Sequence, residues 1–141
     1  MIPKGVLVVV LSLATIAPLA ANGTSPDRDA ARRGTVLVAC ANDFLTQVSF
    51  KKKPKKCRLL RQGGRSESEV QDTGSLKWKH WGRPHARAKG NGFVNMLGAT
   101  PIKVQLSKIR NRCGHRVYTK AKVRYLELDS GGSFRLDACR R

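Results

Sequence analysis

Val117-Tyr118-Thr119-Lys120-Ala121-Lys122-Val123-Arg124 sets small or apolar residues against Lys120, Lys122 and Arg124, one for one. The same pattern returns in Leu76-Lys77-Trp78-Lys79, Ala86-Arg87-Ala88-Lys89 and Ile102-Lys103-Val104. A period of two sends successive side chains to opposite faces of a β-strand, so each segment reads as half buried with a cationic outer row. Neighbouring strands of this kind would merge their rows into one positive surface.

Working outward, turn residues bound the alternating runs. Ser75 to Trp81 reads as a strand with Leu76, Trp78 and His80 on its inner side, and Gly82-Arg83-Pro84 ends it in a bend. His85 to Lys89 resumes the extension, and Gly90-Asn91-Gly92 reads as a turn. Ile102 to Leu106 and Arg116 to Leu128 are further strands, and the hairpin signal Asp129-Ser130-Gly131-Gly132 leads into a last one, Ser133 to Cys139. Upstream, Thr35 to Ala39 and Phe44 to Phe50 are strand candidates, with Phe44, Val48 and Phe50 facing inward. The basic run Lys51 to Arg61, broken by Pro54, does not continue a central strand, and the acidic, glycine-rich stretch 62–74 reads as a loop. No segment carries a helical period. Six or seven strands with short turns predict an all-β domain, an antiparallel β-sandwich or small barrel.

Four cysteines, Cys40, Cys57, Cys113 and Cys139, form no C-x-x-C pair, so two structural disulfides are expected rather than a metal site. Three connectivities are open. Closing the shorter loops favours Cys40 with Cys57 and Cys113 with Cys139.

The start of the chain reads as a secretory signal. Lys4 precedes an apolar run from Gly5 to Leu19 and the small residues Ala20 and Ala21. The run is interrupted by Ser12, Thr15 and Pro18, which argues against a membrane span. The expected organisation is a signal peptide at 1–21, a polar leader at 22–34 and a single β-domain at 35–141, with the mature protein secreted or held in the cell envelope. Leu37-Val38-Ala39-Cys40 has the residue types of a lipobox, but Arg32-Arg33 directly before it leaves no continuous hydrophobic region.

Of 28 Lys and Arg only Lys4 lies in the signal segment, against 9 Asp and Glu in the whole chain, which leaves the mature domain near +18. Such a charge favours nucleic acids, acidic glycans and anionic surfaces as partners. The expected binding face comprises Lys77, Lys79, Arg87, Lys89, Lys103, Lys120, Lys122 and Arg124, with Trp81 among them as an aromatic platform for a base or sugar ring. The alternative is an ordinary solvated sheet face, in a structural envelope protein without a ligand. Lys51-Lys52-Lys53-Pro54-Lys55-Lys56 offers a second, mobile contact.

A cationic secreted ribonuclease is the other alternative, with His80, His85 and His115 as raw material for acid and base. His80 falls on the core side of its strand, His85 on the basic face and His115 in a loop. No nucleophile elbow, zinc helix, phosphate loop or paired carboxylate motif occurs, so neither catalysis, a metal nor a cofactor is expected.

The order Cys40, Cys57, Trp78-x-x-Trp81-Gly82, Ala86-x-Ala88-x-Gly90, Pro101-Ile102-x-Val104-x-Leu106-Ser107, Cys113 and Arg116-Val117-Tyr118-Thr119 resembles small exported bacterial proteins of uncharacterised function, over nearly all of the mature chain. The resemblance implies an exported β-domain with Trp78, Trp81-Gly82 and Tyr118 as framework residues. It implies no activity.

Overall fold

Alternating segments become strands wherever an apolar face finds a core. The computed structural model describes residues 34–94 and 98–140, so the expected signal peptide and all of the expected leader but residue 34 lie outside the described residues. Eight strands follow in order: β1 (Val38–Ala41), β2 (Val48–Lys51), β3 (Cys57–Leu60), β4 (Val70–Lys79), β5 (His85–Val94), β6 (Gly98–Arg112), β7 (His115–Tyr125) and β8 (Ser130–Arg135). β1 and β2 form a two-stranded sheet, and β3 to β8 form a six-stranded antiparallel sheet in sequence order.

The six-stranded sheet curls until its two ends touch. Arg61, just past β3, bridges Leu136, just past β8. Gln62 N–H donates to Arg135 O at 2.8 Å and Asp137 N–H to Leu60 O at 2.9 Å. The curled sheet encloses Leu59, Leu76, Ala86, Ala88, Ile102, Val104, Leu106, Ala121 and Val123, all buried. The segment leading into β1 joins this core through Leu37, which pairs with β7 by accepting from Tyr118 N–H at 3.0 Å and donating to Arg116 O at 2.9 Å.

Both disulfides lie at seams. Cys40 of β1 bonds Cys57 of β3, and Cys113 in the β6–β7 turn bonds Cys139 after β8, which selects one of the three connectivities. Each cross-link removes unfolded-state freedom worth about 2–4 kcal/mol.

Several expectations are corrected by close approach of backbones. Gly90-Asn91-Gly92 is no turn: it runs inside β5. A Cβ on Gly90 would come within 2.6 Å of Gly74 O and 2.9 Å of Leu76 Cδ2, so glycine is there to admit a bulge in β4. The bulge lies between Gly74 and Lys77, with Ser75 at φ 52°. It leaves Leu76 N–H free to donate to Lys55 O at 3.0 Å. Likewise Gly131 and Gly132 lie in β8, not in the turn before it. The loop expected at 62–74 ends early, in a short 3-10 turn at Glu67–Glu69, and β4 begins at Val70. There the Glu69 carboxylate accepts from Arg65 and Ser66 N–H, which hold its pKa below the usual glutamate value.

The basic run also ends in an unexpected strand, β3. Burial opposes the charge of Arg58 at its second position, but Asp72 and Glu67 outweigh it and raise the guanidinium pKa above its ordinary value. Phe44, expected inside, is 84% exposed. Asn42 Oδ1 accepts from Thr46 N–H at 2.9 Å and Gln47 N–H at 3.2 Å, which builds a tight turn that throws Phe44 outward and buries Leu45.

Candidate functional site

Register decides where the cations go. Lys77 faces Lys89 across β4 and β5, Lys89 faces Lys103 on β6, and Lys103 faces Arg124 on β7. One step along the strands, Lys79, Arg87, Gln105 and Lys122 face one another in the same way. A third row follows, His85, Ser107, Lys120 and Arg135. The alternation places all three rows on the face opposite the buried residues, and the eight cations named from sequence share it.

Strands lie about 4.8 Å apart and like-facing residues about 7 Å apart along a strand. The charges therefore stand within the physiological screening length of about 8 Å and repel one another. Opposed like charges cost about 0.2–1 kcal/mol per pair on a sheet. Among the described residues, the only carboxylate paired with any of the eight is Asp129, 3.4 Å from Arg124. Four other described acids pair elsewhere: Asp43, Glu67 and Asp72 with Arg58, and Asp137 with Arg140.

A cleft of about 570 Å³ runs between these side chains, floored by Ala88 and Val104 of the two central strands. Seven of the eight cations line it, together with Gln105 and His80. Lys120 does not; it lines a neighbouring cleft.

Trp81 stands elsewhere. Its indole is half buried against the core, with its ring centroid 4.9 Å from Trp78 and 5.4 Å from Tyr118, both edge-on. Trp81 Nε1 donates to Val36 O at 2.7 Å, so the polar edge needed to lie at the surface is spent inside. The turn at residues 80–84 reverses the strand before Trp81, so counting by two past Lys79 no longer gives its side.

His80 is corrected for the same reason. It adopts φ 58°, is exposed, and lines the cationic cleft rather than the core. His85 Nδ1 lies 3.1 Å from Gln105 Nε2 on the same face. His115 opens β7, its ring 4.1 Å from that of Phe50, and borders a different hollow with Gly34 and Thr35. Among the described residues no three His, Cys, Asp or Glu gather as a metal would require.

The lysine run before β3 is tied down at its second half. Pro54 is buried, its carbonyl accepting from Trp78 Nε1 at 2.8 Å while Lys55 O takes Leu76 N–H. Sequence reading missed Gln105 and His80 as lining residues of the cleft. It missed Lys108, Arg110, Arg112 and Arg135 beside Lys120 altogether, although Arg110-Asn111-Arg112 repeats the basic alternation.

No helix among the described residues is long and apolar enough to cross a membrane. Comparison with known protein families, with curated proteins and with solved structures returns no match for this chain.

Proposed function

We propose that the protein binds linear anionic polymers on the cationic face of the sheet, as an exported module acting in the envelope or its surroundings. The observation that carries this reading is the cross-strand registration of Lys77, Lys89, Lys103 and Arg124 beside Lys79, Arg87 and Lys122, with Asp129 as the one described carboxylate paired there. A fold that holds seven cations around one cleft sacrifices stability, and a polymer with repeating anions would offset that loss. Recognition would run through backbone charge. Both indoles that could stack on a base are turned into the core, which favours an acidic glycan over single-stranded nucleic acid.

The test is binding of heparin and of single-stranded DNA as a function of salt. The expected result is a linear log-log plot with a slope of roughly −3 to −5, as several released counterions require, and tighter binding of heparin. A slope near zero for both polymers excludes the reading.

A second reading, phosphodiester cleavage, rests on the entry of His80 into the cleft beside Lys79 and Arg87. Release of acid-soluble nucleotides from RNA, abolished in His80→Ala, would establish it. Binding without release excludes it.

A further inference from the structure

The second cleft, about 720 Å³, begins at the third row and is lined by Lys108, Arg110, Arg112, Lys120 and Arg135. We propose that it continues the first, so that one polymer chain runs along β6 and β7 through both; this rests on the polyanion reading above. Three observations on different elements converge on it.

Lys120 and Lys122 are consecutive outward residues of β7, about 7 Å apart, and each belongs to a different cleft. The cationic surface therefore has no break between the two. Next, β6 changes its pattern at Lys108, which takes φ 59° while Thr119 Oγ1 donates to its carbonyl at 2.6 Å. Beyond that point Arg110 and Arg112 line the same cleft as Lys120. Finally, the far wall is fixed: the Cys113–Cys139 disulfide ties the β6–β7 turn to the segment 136–139 that closes the cleft.

Charge agrees with geometry. Among the described residues Asp137 is the one acid on the lining, and Arg140 Nη2 holds it at 3.1 Å. None of the five cations is paired with a carboxylate among the described residues. From Lys103 to Arg112 the track along β6 spans about 30 Å, longer than a short oligosaccharide can occupy at once. A chain long enough to reach both clefts gains the second set of contacts intramolecularly, without a second association cost.

The experiment measures affinities for a heparin-derived tetrasaccharide and dodecasaccharide, with the full mature chain and with Arg110→Gln/Arg112→Gln. The expected result is a dodecasaccharide preference that falls about tenfold in the variant, with tetrasaccharide binding unchanged. Arg135→Gln, on another strand, gives the same selective loss should the double variant fold poorly. Unchanged binding of both lengths, or equal loss of both, overturns the continuous track and leaves the first cleft standing. Failure of the unaltered protein to bind either length overturns the polyanion reading itself.

Discussion

Trp81 stands edge-on to Tyr118, and the hydrogen bonds of the two tie down the β4–β5 turn. The indole donates to Val36 O, while the Tyr118 hydroxyl accepts from Gly82 N–H at 2.9 Å and donates to Arg83 O at 2.8 Å. Trp81→Ala should therefore cost about 3 kcal/mol of stability, in the range for aromatic truncation in a core. Heparin affinity of the folded protein should stay within about twofold, since the indole is packed against the core and does not line the cleft. Urea melts and heparin titration check the pair of outcomes; a large affinity loss at unchanged stability would mean that the ring meets ligand.

Tyr118 predicts a response to alkali. Burial raises its pKa above the ordinary tyrosine value, and the hydrogen bond from Gly82 only partly offsets this. Above about pH 10 the unfolded tyrosine loses its proton while the folded one keeps it. The native state then binds more protons, so stability falls with rising pH until the folded pKa is passed. Below about pH 10 this contribution is intact. Urea midpoints between pH 8 and 11 should drop more steeply for the unaltered protein than for Tyr118→Phe. At neutral pH that variant should already be less stable by about 1–2 kcal/mol, from the two lost hydrogen bonds.

Lys103 sits between Lys89 and Arg124 in one row. Lys103→Gln should raise stability by about 0.5 kcal/mol at low salt, with the gain vanishing at high salt. The same change should weaken heparin binding and make the salt slope shallower by about one unit. Opposite movement of stability and affinity is the diagnostic; a variant that loses both would point to a structural role for the Lys103 side chain.

Gly90→Ala places a methyl group 2.6 Å from Gly74 O and against the bulged backbone at Leu76. A thermal melt should show destabilisation of about 1–3 kcal/mol, the cost of overpacking. Gly63→Ala serves as contrast: it meets nothing within 4 Å, so its cost comes from its φ of 76° alone.

What the sequence made legible follows the reach of its periodicity. Lys77, Lys89, Lys103 and Lys122 were assignable because each sits in a run where counting by two holds. Trp81 and His80 were not, because the left-handed backbone at His80 and the turn after it end the count. Glycine misled in a consistent way. Gly90 and Gly131 are absent of side chain for closeness to a neighbouring strand rather than for a turn, and closeness is invisible without the neighbour. β3 was hidden for a different reason: Arg58 looks like one more charge in a basic run, and its acidic partners Glu67 and Asp72 come from the stretch read as a loop.

The meeting of Arg61 with Leu136 also sets an order of events. From β3 to β8 every strand pairs with the next, so each ladder can form from a local hairpin, whereas this contact joins positions at the two ends of the series. Contacts so distant in sequence carry the largest chain-closure cost and slow the folding of β-rich domains. Until they form, the end of β3 at Leu60 lacks the backbone partners it takes from the segment after β8, and a nascent chain not yet extended to Leu136 cannot supply them. Residues 135–137 thus guard the end of β3 against joining another molecule.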